Sequence, residues 1–202
     1  MCQIFQQLCQ LDSFYLYNLN NYNKIVNQRN NLLKNLYLNP ELKDTLAIWD
    51  SQMLSYGMKI IERRQQFISQ LNEIIKDIHN GLSGGKEELN ILYEPNVNIE
   101  DYEKMLTNSR DKDIKLKQTT VGPHRDDISF MVKSENTNGI EIDIRKYGSQ
   151  GQQRTAALSL KLSEIELVKR VTKDTPILLL DDVLSELDSN RQNYLLNSIK
   201  NI

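Results

Sequence analysis

A chain of 202 residues is long enough for one good core, or for a small core carrying an elongated appendage. With 25 basic against 27 acidic side chains the net charge is -2, so no whole-chain field draws it towards nucleic acid or membrane, and any DNA-binding surface has to be a local patch. No apolar run approaches the roughly 18 residues of a membrane span, the opening MCQIFQQLCQ lacks the regions of a secretory leader, and two cysteines, Cys2 and Cys9, supply neither a zinc quartet nor a disulfide framework, which fits a reducing compartment such as the cytoplasm.

From Tyr22 to about His79 the chain is long-helix material. Apolar residues recur three and four apart among Lys, Glu, Gln and Asn, and Pro40 divides the segment in two. In the second part Leu42, Leu46, Trp49, Met53, Tyr56, Ile60, Phe67, Leu71, Ile74 and Ile78 keep one stripe. That stripe is narrow for a globular core and suits a helical hairpin or arm. Gly57 is expected to cost the helix under ~1 kcal/mol without ending it. Leu89, Ile91 and Tyr93 then alternate up to Pro95, a short strand, and Ile99, Tyr102 and Leu106 share one face of a short helix over 99–111. Ile128, Phe130 and Val132, and again Ile140, Ile142 and Ile144, alternate with polar neighbours on either side of SENTNG, which predicts a β-hairpin. A helix is expected from Gln150 to about Val171, with Leu158, Leu162, Ile165 and Val168 on one side. Pro176 starts Ile177-Leu178-Leu179-Leu180, an unbroken run of the kind buried on both faces of a sheet, and a last helix runs from about Asn190 to Lys200.

Two stretches carry chemistry. The apolar run delivers Asp181 and Asp182 to the carboxyl edge of a sheet, where ligands of α/β folds sit. One carboxylate there can hold Mg²⁺ and the next can orient or deprotonate an attacking water; Glu186 and Asp188, in the following Ser185-Glu186-Leu187-Asp188 turn, extend the acidic group. Taken alone, two adjacent acids are as well explained by a capping turn. The second stretch is Gly148-Ser149-Gln150-Gly151 before an amphipathic helix. Its outward N–H groups and the helix dipole make an anion site, although a plain Ser149 N-cap needs no ligand. The basic residues Arg63, Arg64, Lys169, Arg170 and Lys173 read as solvated helix faces rather than DNA contacts. His124 and Arg125, in GPHRDD, read as structural, since His79 is the other histidine and lies far off in sequence.

Taken together, YGSQGQQRT (147–155), LLLDDVLSELDSNRQNYL (178–195), TTVGPHRDD (119–127) and LDSFYLYNLNNYNKIVNQRN (11–30) resemble the RecF family of bacterial DNA-repair ATPases, with its SMC-like head, over almost the whole chain. The resemblance implies an α/β fold: the C-terminal part of an ATP-binding-cassette (P-loop) head, at 118–202, with an inserted helical arm lobe at 22–117 and a remnant of the N-terminal head lobe at 1–21. By that likeness Ser149, Gln150, Gly151 and Gln152 form the signature loop that contacts ATP on the opposite subunit. Asp181 is implied to hold Mg²⁺, Asp182 to activate water, and Asp188 to be the D-loop aspartate at the dimer seam. The implied protein is an ATP-driven homodimeric clamp on DNA at single-strand to double-strand junctions, which loads recombinase on gapped DNA with recombination mediator proteins as partners.

The chain also departs from the pattern. No G-x-x-x-x-G-K-[ST] occurs in it, and that loop is what cradles the β- and γ-phosphates, so the expectation is a fragment that does not hydrolyse ATP alone. Two alternatives stand beside the resemblance: a Mg²⁺-dependent nuclease or phosphotransferase using Asp181, Asp182, Glu186 and Asp188, and a non-catalytic helical interaction module. One decoy is set aside by position. Leu82-Ser83-Gly84-Gly85 spells most of the cassette signature LSGGQ, yet it follows the long helix and precedes a strand, so a chain-reversing turn is expected there.

Overall fold

The computed structural model describes residues 4–134, 139–174 and 189–200. In chain order these form α1 (Ile4–Leu11), α2 (Ser13–Asn35), a 3-10 turn (Pro40–Thr45), α3 (Leu46–Ser83), β1 (Glu87–Glu94), α4 (Tyr102–Leu116), a second 3-10 turn (Pro123–Arg125), β2 (Asp127–Ser134), β3 (Ile142–Asp143), α5 (Ile144–Tyr147), α6 (Gln150–Thr172) and α7 (Ser189–Lys200). The strands make one sheet in the order β1-β2-β3. β2 and β3 are antiparallel, with Met131 opposite Asp143 and Val132 opposite Ile142. The architecture is the expected mixture of α and β; the expected strand at 177–180 lies outside the described residues.

Local chemistry explains most boundaries, including those that differ from expectation. α2 begins at Ser13 rather than Tyr22, because Asp12 adopts extended backbone and its carboxylate accepts from Tyr15 N at 2.8 Å, capping the helix. Pro40 opens the turn between α2 and α3, where a missing N–H does no harm. Gly57 sits inside α3 for a packing reason: a Cβ there would stand 2.6 Å from Tyr102 Cε1. The end of α3 is a Schellman motif. Gly85 N bonds Asn80 O at 2.8 Å and Gly84 N bonds Gly81 O at 3.3 Å, with both glycines at positive φ. Leu82-Ser83-Gly84-Gly85 is therefore the turn that its position in the chain predicts. The expected hairpin forms, but its second strand is cut short, because Asp143 caps the next turn by accepting from Arg145 N at 3.0 Å, and Ile144 opens α5 instead of continuing β3.

The chain divides into two compact units, Met1–Phe67 with Tyr93–Asp127, and Ile68–Leu92 with Ile128–Ile202. In both, α3 buries a broader face than the expected stripe. Ile60 and Ile61, Phe67 and Ile68, and Ile74 and Ile75 are adjacent buried pairs that recur one heptad apart.

The first unit is built around two buried guanidinium groups. Arg29 is fully buried; its Nε donates to Asp50 Oδ1 at 2.8 Å and its Nη1 to Asp113 Oδ2 at 2.7 Å and Thr119 Oγ1 at 3.0 Å, joining α2, α3, α4 and the chain after α4. Arg110 donates to the other Asp50 oxygen at 2.7 Å. Arg64, on α3, donates to Asp126 Oδ2 and Pro123 O, at 2.7 and 2.6 Å, and to Tyr15 Oη at 3.0 Å, and lies 4.5 Å above the Phe5 ring. A solvated face was the expectation for Arg64; at 3% exposure it is instead part of the core. Its neighbour Arg63 is half-buried on Asp12 at 2.7 Å. Arg170 fits the expectation, paired on the surface of α6 with Glu166 at 2.8 Å.

The GPHRDD segment supplies the matching acceptors. Asp126 takes hydrogen bonds from Arg64, Tyr93 Oη and Asn96 N. His124 Nε2 faces the Thr119 carbonyl at 3.1 Å, so it carries the ring proton, and Nδ1 accepts from Tyr22 Oη at 2.8 Å. Tyr102 Oη then donates to Tyr22 Oη at 3.2 Å. Gly122, at φ +131°, passes beneath this pair; a Cβ there would run into Tyr22 Oη and stand 2.6 Å from Tyr102 Oη.

Arg64→Ala leaves Asp126 buried without its cation and is expected to destabilise the chain by about 3–5 kcal/mol, read from the urea midpoint at constant m-value. Gly122→Ala combines a left-handed backbone with a clash and is expected to cost about 1–3 kcal/mol.

Stability is also expected to depend on pH at both ends. Burial lowers the pKa of His79 and His124 from the ordinary 6.5, so the unfolded chain binds the extra protons first and stability falls as pH drops below about 6.5. Burial raises Tyr22, Tyr93 and Tyr102 above the ordinary 10.0, so their contribution is complete below about pH 10 and is lost as pH rises beyond it. A series of urea midpoints from pH 5 to 11 reads both limbs, and Tyr22→Phe flattens the alkaline one.

Candidate functional site

The start of α6 is assembled by its own sequence. Gly148 ends α5 with its N–H on Ile144 O at 3.0 Å, and Ser149, in extended backbone, becomes the N-cap of α6. Ser149 Oγ accepts from Gln152 N at 3.2 Å while Gln152 Oε1 accepts from Ser149 N at 2.9 Å, a reciprocal capping box. Gln153 Nε2 ties the turn back by donating to Ile144 O at 2.9 Å. Thr155, Ser159 and Ser163 carry their hydroxyls on the carbonyls one turn earlier, at 2.7–2.8 Å, so this face of α6 is buried although its residues are polar.

The geometry leaves an exposed, electropositive helix end. The capping box occupies the N–H groups of Ser149 and Gln152. Those of Gln150 and Gly151 open towards solvent without a partner among the described residues, and the first turn holds no acid. Where a Cβ of Gly151 would sit, the nearest atom is Ser149 Oγ at 3.9 Å, which leaves room for an anion against the backbone. Ser149 Oγ spends a lone pair on the cap and keeps its hydrogen to donate. These four residues thus fit a phosphate oxygen, with the N-cap and the anion site being the same structure rather than rivals.

A third support comes from β1. Gln152 Nε2 donates to Glu87 Oε1 at 2.9 Å, and Glu87 Oε2 lies 3.4 Å from Nε2 of the buried His79 near the end of α3. Sequence patterns give no sign of this link, because its partners lie on three elements. In the same unit Leu82, Leu158, Leu162 and Leu195 form one buried apolar cluster, flanked by Ile78, Ile165 and Tyr194. Gly81 lets the Tyr194 ring lie directly on α3.

Asp181, Asp182, Glu186 and Asp188 lie outside the described residues, and among the described residues no cluster of His, Cys, Asp or Glu is arranged to hold a metal ion. No described helix is long and apolar enough to cross a membrane.

No protein-family model matches the chain. Individual relatives do. The chain is 60% identical over 198 residues to the DNA replication and repair protein RecF of Lachnospira eligens, an alignment that takes in 97% of this chain and 53% of that protein. It is 58% identical over 193 residues to RecF of Agathobacter rectalis, covering 96% of this chain and 51% of that one. Among solved structures, the recombination mediator protein RecF of the RecFOR pathway, described as RecF-ATPrS, matches with a TM-score of 0.84 and 36% identity over 98% of this chain and 53% of its own. A second, described as RecF-ATP, matches with a TM-score of 0.82 over the same shares. The chain spans about half the length of the curated relatives it matches. These likenesses bear out the resemblance carried by the sequence blocks and lend no support to the nuclease or interaction-module alternatives. With 60% identity to one RecF and a backbone that follows another along 98% of its length, the chain is similar to RecF proteins over nearly all of its residues.

Proposed function

We propose that this chain is the part of a RecF-type DNA replication and repair ATPase that completes a nucleotide site across a dimer. The observation that carries this reading is the start of α6, where Ser149, Gln150, Gly151 and Gln152 present a capped, exposed turn with free N–H groups and no acid. An ATP γ-phosphate is the anion we assign to it. In this reading Asp181 holds Mg²⁺, Asp182 activates the attacking water, and Asp188 crosses the dimer seam. The cradle for the β- and γ-phosphates comes from a G-x-x-x-x-G-K-[ST] loop outside these 202 residues. The segment 22–117 serves as the arm lobe, and 118–202, with the remnant at 1–21, as head. ATP closes two heads on DNA at single-strand to double-strand junctions in the cytoplasm, hydrolysis releases them, and recombination mediator proteins receive the gapped DNA. What supports these assignments is the identity to proteins named DNA replication and repair protein RecF, and the match to structures described as RecF with ATP or ATPrS in the RecFOR pathway.

The test is a graft of this chain into Lachnospira eligens RecF in place of its matching segment. The graft is expected to dimerise with ATP in light scattering. Ser149→Arg, which plants a bulky side chain on the helix end, is expected to leave ATP binding intact and abolish ATP-dependent dimers. Asp182→Asn is expected to keep the dimers and slow hydrolysis by about a hundredfold or more. A Ser149→Arg graft that dimerises normally with ATP sinks the assignment of α6.

A further inference from the structure

Glu87, the first residue of β1, stands just beyond the Gly84-Gly85 turn, and its carboxylate faces two ways. Oε1 accepts from Gln152 Nε2 at 2.9 Å, and the other end of the same amide closes the capping box on Ser149 N, also at 2.9 Å. Oε2 faces His79 Nε2 at 3.4 Å.

The state of that second contact follows from proton accounting. Ser159 Oγ donates its single hydrogen to Thr155 O at 2.8 Å, so towards His79 Nδ1, 2.9 Å away, it is the acceptor. Nδ1 therefore carries the proton of the neutral ring, and Nε2 turns a lone pair towards the carboxylate. Two acceptors face each other, and among the described residues neither has a hydrogen-bond partner. The charged groups that act on the ring are Glu87 from β1 and Arg191 from α7; the α6 groups against this cluster, Ser159 and Gln152, are neutral. Burial, with Arg191 acting in the same direction, outweighs Glu87 and lowers the His79 pKa, so the ring is neutral at pH 7 and gains its second proton on acidification.

We infer that Glu87 is a positioning residue for the start of α6: it holds the Gln152 amide that caps Ser149, and His79 controls how firmly the carboxylate is held. The functional weight of this rests on the reading of Ser149–Gln152 as the nucleotide-contacting turn. With the ring neutral, Oε2 is repelled and the carboxylate is anchored through Oε1 alone. With the ring protonated, Nε2–H donates to Oε2, and a charge-assisted bond fixes both oxygens at once. The last turns of α3, which end in the two-glycine turn, are thereby tied through one carboxylate to the helix start proposed to face ATP.

The experiment is amide exchange on the ¹⁵N-labelled chain between pH 5 and 8, reported as protection factors for the backbone N–H of Ser149 and Gln152 and for the Gln152 side-chain amide. His79 is titrated alongside through its ring protons. Wild-type protection of these amides, taken relative to that of core amides that follow the global loss of stability, is expected to rise as pH falls through the His79 titration. At pH 7, Glu87→Ala is expected to lose about fivefold in Ser149 protection, the worth of one ordinary hydrogen bond, with helix content unchanged. Glu87→Gln is the rescue: its amide oxygen still accepts from Gln152 while its NH₂ donates to neutral His79 Nε2. It is expected to match or exceed wild type and to lose the pH dependence. Wild-type protection in Glu87→Ala, or a loss in Glu87→Gln as large as in Glu87→Ala, overturns the inference. The two readings fail separately. If the Glu87 variants behave as expected but grafted Ser149→Arg still dimerises with ATP, the positioning stands and the nucleotide assignment falls. If Ser149→Arg blocks dimers while Glu87→Ala keeps full protection, the positioning alone falls.

Discussion

A guanidinium taken out of water has to be met by carboxylate and carbonyl oxygens, and in the first unit that requirement decides where the chain between α4 and β2 runs. Arg64 is 3% exposed on α3, and its acceptors are Asp126, Pro123 O and Tyr15 Oη. Asp126 in turn fixes Tyr93 and the backbone at Asn96, the two ends of the chain leaving β1. Breaking such a buried pair costs several kcal/mol because the remaining charge is stranded, so the bend from Gly122 to Asp126 has little freedom. Arg29 does the same between α2, α3 and α4 with Asp50 and Asp113. The first unit thus has a core that is apolar in bulk and ionic at its joints.

The second unit uses neutral polar groups instead. Along α6 the hydroxyls of Thr155, Ser159 and Ser163 are satisfied within the helix, so a polar face is buried without a salt bridge. Ser159 additionally receives His79, and the chain of contacts continues through Glu87 and Gln152 to Ser149. A helix start that has to present N–H groups outward is held from behind by side chains that do not compete for those groups. That division of labour leaves the Gln150 and Gly151 N–H groups open beside a complete capping box, as the proposed phosphate contact requires.

Much of this was legible in the sequence, for identifiable reasons. Helix and strand periods placed α3, β1, the hairpin and α6, because one face of each is buried and the other is not. The Ser149 N-cap and the glycine pair marked a start and a stop through backbone chemistry that needs no tertiary partner. Resemblance of four blocks to RecF proteins named the family that the relatives then bore out. The misses share a cause. Arg64 looks like a surface residue because arginine usually is one, and only Asp126, far along the chain, makes its burial tolerable. Asp12 caps a helix expected only from Tyr22 onward, and Asp143 ends β3 inside an alternation that runs on to Ile144.

The sequence by itself determined what depends on near neighbours: the helical stretches, the turn at Gly84-Gly85, the N-cap at Ser149 and the resemblance to RecF proteins. Only the tertiary structure decided that Arg29 and Arg64 are core residues, that His124 Nε2 donates a hydrogen bond to the Thr119 carbonyl, and that Glu87 and His79 stand behind Gln152. Each of these joins groups on different elements, and a hydrogen bond between them exists only once folding has brought donor and acceptor within about 3 Å.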